Sequence, residues 1–166
     1  MEILRDIFND AWSGNWGFIP FSKEEFAELG NSLKFFIPDD FVQIAELDGH
    51  PVTFIVVLPN LNEVLARLNG KLLPLGWLQI YNAMKKYDFR TGRVPLMGVR
   101  KPYQNSPLGL TLALMVCNAA RTSARKLGIE AVEMSWILEN NKGMRSILDN
   151  IGSKEYKRYR IYEKNL

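Results

Sequence analysis

The sequence predicts a mixed α/β domain in which helices flank a single sheet, and three observations carry that reading. Segments of helical and of strand periodicity alternate along the whole chain. Asp48-Gly49, Gly128 and Gly152 fall where a hairpin turn or a helix end is expected. The run Leu-Met-Gly-Val-Arg-Lys-Pro-Tyr-Gln-Asn-Ser-Pro-Leu-Gly-Leu-Thr-Leu-Ala, from Leu96 to Ala113, reads as a strand delivered by a turn into the start of a long helix.

Taken in order, residues 2–12 and 23–35 have helical spacing of apolar positions. Ser22 and Glu25 form a capping-box pattern ahead of the second of these helices. Phe41 to Leu47 and Val52 to Leu58 read as strands around the Asp48-Gly49 turn. His50, the sole histidine, is expected as a solvated turn residue, and one histidine excludes a multi-His metal site. The stretch 59–91 reads as two helices, one with the stripe Leu61, Val64, Leu65 and Leu68, the other with a bulkier surface of Leu75, Trp77, Leu78, Tyr81 and Met84. That apolar surface is to be buried in the domain, in a dimer contact or around an apolar acceptor or acyl group.

Residues 92–100 are the next strand, and a helix is expected from Pro107 to about Leu127, ended by Gly128. This helix has two stripes: Leu108, Leu112, Met115 and Ala119, and the smaller Gly109, Ala113, Val116 and Ala120, which suits close packing on a sheet. Ile129 to Leu138 reads as a central strand, with Ala131, Glu133, Ser135 and Ile137 on one face. A short helix capped by Asn140 or Asn141 follows, carrying Met144, Ile147, Leu148 and Ile151, and Tyr156 to Glu163 is the last expected strand.

With 166 residues, 47% hydrophobic and 23% charged, the chain is expected to form one domain over 1–166 with a real core. Its single cysteine, Cys117, lies inside the long helix, so an intramolecular disulfide is excluded and the thiol is expected to be buried. No apolar run approaches the ~18 residues of a membrane span, and a cytoplasmic location is expected. The formal charge of +3 is too small to argue for nucleic acid, although Lys154, Lys157, Arg158 and Arg160 interleave with Tyr156, Tyr159 and Tyr162. Lys85, Lys86, Arg90, Arg93, Arg100 and Lys101 cluster just before the strand-to-helix turn and favour an anionic ligand. A helix N-terminus offers unpaired N–H groups and a positive dipole end, so that turn is a place for a phosphate.

Val99, then Tyr103-Gln104, then Leu108-Gly109 before an apolar helix resembles the acyl-CoA motif of the GNAT N-acetyltransferase family, usually Gln/Arg-x-x-Gly-x-Gly/Ala. Gln104 and Gly109 match, and Pro107 stands where the first glycine belongs. Proline has no amide hydrogen; losing one charge-assisted hydrogen bond weakens binding by about ten- to a hundredfold. The order of elements is similar to the GNAT fold, a mixed and mostly antiparallel sheet flanked by helices. The family's opening strand is missing from that order, and 59–91 is a helical insertion. A missing edge strand exposes backbone groups that a second subunit would cover, so a homodimer is an expected partner state. The segments from Ala11 to Phe21 and from Ser135 to Asn141 look like the C-terminal half of longer bacterial GNAT-related proteins.

The resemblance implies acetyl-CoA or another acyl-CoA as substrate, no metal, and a small amine as acceptor. It puts Gln104, Asn105, Leu108, Gly109 and Leu110 on the pyrophosphate and Met97, Gly98 and Val99 on the pantetheine arm. Asn141 either caps its helix or touches that arm. The family often keeps a glutamate base in the strand from Gly92 to Val99, but that strand contains no carboxylate. Glu133 is the substitute base, or else a structural ion-pair member. The family's tyrosine acid, counted seven residues beyond Asn141, falls on Leu148, leaving Tyr156, Tyr159 and Tyr162 as candidates, with Tyr156 taken as the acid. The reading is an N-acyltransferase. The alternative is a catalytically silent domain of the same fold that binds a ligand or dimerises through its insertion.

Overall fold

Asp48 and Gly49 both take left-handed backbone, φ 51° and 78°, which is the geometry a two-residue hairpin turn needs. They fold strand β1 (Val42–Leu47) back on β2 (His50–Pro59). The computed structural model describes residues 1–34, 37–134 and 136–164. It divides into two units, Met1–Trp136 and Ile137–Leu166.

In the first unit β3 (Thr91–Val99) pairs antiparallel with β2, and β4 (Ala131–Met134) pairs parallel with β3, giving the order β1-β2-β3-β4. Parallel neighbours need a crossover, and helix α5 (Pro107–Lys126) supplies it. Central β2 is buried from Val52 through Val57, which explains why its sequence is nearly continuous in apolar residues rather than alternating. The result is the mixed, mostly antiparallel sheet expected of the GNAT fold.

Helix α1 (Glu2–Trp12) covers one face. Its Leu4, Ile7 and Phe8, at i, i+3 and i+4, join Phe26 of α2 (Lys23–Lys34) against Phe54 and Val56. The capping box forms: the Ser22 N–H donates to Glu25 Oε2 at 2.9 Å, and the Glu25 N–H donates to Ser22 Oγ at 3.1 Å. Phe35, at the end of the expected second helix, lies outside the described residues. Helix α5 packs on β1, β2 and β3. Its small stripe Gly109, Ala113, Val116 and Ala120 is buried throughout, while of the larger stripe Leu112 is buried and Leu108 and Met115 are exposed.

The insertion forms two helices, α3 (Asn62–Arg67) and α4 (Gly76–Lys86), closed around Val64, Ala83, Met84 and Phe89. Glu63 fastens it to the start of β3: its carboxylate accepts the Arg90 N–H at 3.0 Å and the Thr91 N–H at 2.7 Å, and also the Thr91 hydroxyl. Burial opposes ionisation of Glu63, but the Thr91 hydroxyl, the two amides and Arg67 together hold its carboxyl below the ordinary range.

Two expected strands need correction. Strand β4 runs only from Ala131 to Met134 instead of from Ile129 to Leu138, because the Trp136 backbone turns to φ 23° and leaves the extended region; Ser135 lies outside the described residues. Residues 153–164 form no strand or helix, and Tyr156, Tyr159 and Tyr162 are exposed. With period two, Tyr156 and Tyr162 share a face with Arg158 and Arg160, and Tyr159 and Ile161 share the other with Lys157 and Glu163, so neither face is apolar enough to hold the segment in a ladder. Arg158 pairs locally with Glu155 at 3.0 Å. Earlier in this second unit, α6 (Lys142–Asn150) forms with Asn141 as its cap, the Met144 N–H donating to Asn141 Oδ1 at 3.0 Å.

Candidate functional site

The site is built by an irregularity in β3. Leu96 faces Val56 and Arg93 faces Leu58, so Val94 and Pro95 together lie opposite Val57 alone, a bulge. Proline has no N–H for the ladder, and a bulge is where a strand tolerates it. The extra residue inverts the direction of the following peptide groups. Before the bulge, the Thr91 carbonyl accepts from Asn60 N on the β2 side, and that of Arg90 accepts from Glu130 N on the β4 side. After it, Arg100 N donates to Val52 O, so even-numbered residues face β2 and the peptides of Met97 and Val99 face away. Strand β4 does not follow: its pairing ends at Met134 opposite Val94. Among the described residues of the first unit, β3 past the bulge therefore carries an open edge of backbone donors and acceptors.

Two side chains cover the carbonyls of that edge. Trp12 Nε1 donates to Met97 O at 2.9 Å, and Gln104 Nε2 donates to Val99 O at 2.8 Å and to Ala11 O at 3.0 Å. The amides of Met97 and Val99 lie on the same edge, without a ladder partner among the described residues of the first unit. Gly98 is held between Ala11 and Phe54: a Cβ there would sit 3.0 Å from each.

Beyond β3 the chain makes a turn of 3-10 helix at Lys101–Tyr103, reaches Asn105 at φ 57° and enters α5. Ser106 caps the helix: its hydroxyl donates to Tyr103 O at 2.6 Å and accepts the Gly109 N–H at 3.0 Å. Pro107 occupies the first helical position, as expected, and brings no donor. Gly109 is required by the fold itself, because a Cβ there would lie 2.0 Å from Tyr103 O. The Leu110 N–H already bonds to Ser106 O at 3.0 Å. Among the amides of this first turn, that of Leu108 is left to meet an anion at the positive end of the helix.

Met97–Val99, Gln104, Asn105 and Leu108–Leu110 thus lie along one strand end, one turn and one helix start. Glu133 is on β4, in register with Arg93 on β3, and is half-buried. Asn141 and Tyr156 belong to the second unit; Asn141 caps α6, and Tyr156 is exposed with the Lys157 ammonium 4.8 Å from its ring centre. Cys117, behind the open edge, lies with Sγ 4.0 Å from Met97 Sδ, and burial pushes its thiol up to about 11.

The sequence gives no hint of what α1 does here. Arg100 Nη2 donates to Asp6 Oδ2 at 2.7 Å and its Nε to Pro51 O at 2.8 Å; the Lys101 N–H donates to Asp10 Oδ2 at 2.8 Å. With Trp12, these contacts fasten one helix along the end of β3 and the turn. Asp6 and Asp10 do show an i, i+4 spacing in the sequence, but their partners lie some ninety positions away. They also engage part of the basic cluster. Arg100 serves Asp6, and Arg93 lies over the Trp136 ring at 5.3 Å from its centre.

Comparison with known proteins bears on the fold. No protein-family model matches the chain. The chain is 52% identical over 166 residues to Protein YghO of Escherichia coli and 44% identical over the same length to the bacterial ceramide synthase of Caulobacter vibrioides. In each case it spans 43% of the relative's length. Among solved structures it is similar to the aminoglycoside acetyltransferase AAC(6')-Iy in complex with a CoA bisubstrate analogue, with a TM-score of 0.60 over 99% of this chain and 91% of that one at 15% identity. It is also similar to AAC(6')-IG of Acinetobacter haemolyticus, with a TM-score of 0.56, 99% and 92% coverage and 12% identity. At such identities the likeness is one of fold.

Proposed function

We propose, from the premise that this chain has the GNAT acyltransferase fold, that it moves an acyl group from acyl-CoA to the amine of an acceptor. The observation that carries the reading is the open edge of β3 past the bulge, beside the start of α5. Trp12 and Gln104 occupy the carbonyls of Met97 and Val99, which leaves N–H groups as the chemistry of that edge. Such donors pair with the carbonyls of a pantetheine arm and polarise a thioester carbonyl as negative charge develops on it. The amide of Leu108, with those of Asn105 and Ser106, receives the pyrophosphate. The acceptor amine attacks the thioester carbon, the C–N bond forms, the C–S bond breaks, and the amine proton leaves as the thiolate gains one. Glu133 is the proposed base and Tyr156 the proposed acid. A cytoplasmic setting, where acyl-CoA is made, belongs to the same proposal.

For the acceptor we propose a long-chain amino alcohol rather than only a small amine. One relative is named a ceramide synthase, and a ceramide is the amide of a fatty acid with such an alcohol. The test is release of free thiol from acetyl-, medium-chain and long-chain acyl-CoA in the presence of a long-chain amino alcohol, an amino sugar or a polyamine. Thiol release with the amino alcohol, lost in Glu133→Gln, is the expected result; release with none of the three sinks the transferase reading.

The second reading, a silent domain that binds a ligand or a partner, is favoured by the donors already engaged. The Gly109 amide is taken by Ser106 and the Gln104 side chain by two carbonyls, and Pro107 has none. This reading predicts no bound coenzyme.

A further inference from the structure

Apolar surface on the insertion is unexplained by the site. Leu72, Leu73, Leu75 and Trp77 are exposed at 51%, 77%, 61% and 51%. They do not sit on a loose loop. The Trp77 N–H donates to Leu72 O at 3.1 Å and its Nε1 to Pro74 O at 3.0 Å, while Gly76 lies so close under the loop that a Cβ would be 2.5 Å from Lys71 O. Ala83 and Met84 are buried in the insertion's own core, on the side of α4 adjoining the exposed stripe, which fixes the rotation of the helix.

Polarity along this face is ordered. The leucines form the tip; Trp77, Tyr81 and Lys85 follow at four-residue steps along one stripe of α4, with Lys71 at the near end of the loop. From Trp77 to Lys85 the helix rises about 12 Å. Apolar tip, aromatic level and cationic level, in that order over that distance, match the profile of a bilayer surface from hydrocarbon boundary to phosphate.

We propose that this face of the insertion docks on anionic lipid bilayers, with Leu72, Leu73 and Leu75 entering the acyl boundary, Trp77 and Tyr81 at headgroup depth, and the lysines on lipid phosphates. Charge selects this occupant over a second copy of the chain. Between Lys71 and Lys86 there is no acidic residue, so a second copy of this face brings no acidic partner for its lysines, whereas lipid phosphate complements them. The mode is surface docking: among the described residues no helix is long and apolar enough to cross a membrane. The inference rests on the insertion alone and stands apart from acyl transfer.

The test is sedimentation of the 166-residue chain with vesicles of phosphatidylcholine, with and without phosphatidylglycerol. The chain is expected to bind the anionic vesicles and to lose binding as salt rises. Leu73→Glu/Leu75→Glu, both exposed and so compatible with the fold, is expected to lower binding by about tenfold or more, since burial of one leucine is worth that factor. Lys71→Glu/Lys85→Glu is expected to abolish the preference for phosphatidylglycerol. Quenching of tryptophan fluorescence by brominated lipid is expected to fall in Trp77→Phe. No sedimentation at millimolar lipid by the folded chain overturns the proposal, as does unchanged binding by the leucine variant. A dimer that the leucine variant dissolves also overturns it, by assigning the face to a second copy. Coenzyme calorimetry reads the other site, so failure of one proposal leaves the other standing.

Discussion

The indole N–H of Trp12 donates to the carbonyl of Met97 at 2.9 Å, joining the end of α1 to the open edge of β3. The bond satisfies an acceptor that the bulge has turned away from the sheet, and it leaves the edge with its donors. Trp12→Phe keeps the ring contact with Phe8, whose centre is 4.8 Å away, and removes only the bond. The expected loss is about 1 kcal/mol, read as a fall of about 2–4 °C in the melting temperature.

Gly109 is the second fixed point. A methyl group there meets Tyr103 O at 2.0 Å, so Gly109→Ala must displace the turn or the first turn of α5. A cost of about 3 kcal/mol is expected in denaturant unfolding. Gly14→Ala, where a Cβ meets nothing within 4 Å, is the control and is expected to stay within about 0.5 kcal/mol.

Pro107 withholds a donor from the start of α5, and Pro107→Ala restores it at a position that any good helix former accepts. Coenzyme affinity is expected to rise by about tenfold, with stability lower by about 0.4–1 kcal/mol from the freer unfolded chain. Calorimetry of both proteins with the same acyl-CoA reads the first effect, and thermal unfolding reads the second.

Glu63 makes the stability of the insertion depend on acid. Its folded pKa lies below the ordinary 4.5, so the unfolded chain takes up the proton first. Its contribution is therefore full above about 4.5 and is lost as pH falls through the lower folded value. Glu63→Gln is expected to flatten the acid side of the stability profile and leave the neutral side parallel to that of the parent chain. A slope unchanged below pH 4.5 would show that Glu63 is not the group responsible.

Burial pushes the Cys117 thiol up to about 11 from an ordinary value of 9.0. At pH 8 its thiolate is about a hundredfold scarcer than in the unfolded chain. Iodoacetamide is expected to label it at least that much more slowly until denaturant unfolds the protein. Equal labelling rates would place the thiol in water.

Local chemistry made most of the fold legible. The capping box at Ser22, the hairpin at Asp48-Gly49, Pro107 at the head of α5, and the small stripe of α5 each write a local preference that packing then confirms. Strand length was less legible. Ile129 to Leu138 has strand composition throughout, but β4 stops where the Trp136 backbone turns and its ring meets Arg93. The tyrosines after Lys154 recur every three residues, so an extended chain puts them on alternate faces and gives no single apolar face to bury. At the site, the sequence marks the glycine and the proline but not their neighbours' occupations. That Ser106 takes the Gly109 amide, or that Gln104 turns back to Val99 and Ala11, depends on contacts across the chain that no short motif encodes.

The central claim is that the open edge of β3 and the start of α5 hold an acyl-CoA. The measurement that tests it most directly is calorimetric titration of the chain with acetyl-CoA, a long-chain acyl-CoA and CoA. Micromolar binding that weakens in Gly98→Val, where added bulk closes on Ala11 and Phe54, is the predicted result. No heat and no competition at millimolar coenzyme, by a chain shown to be folded, would contradict it and leave the silent-domain reading in its place.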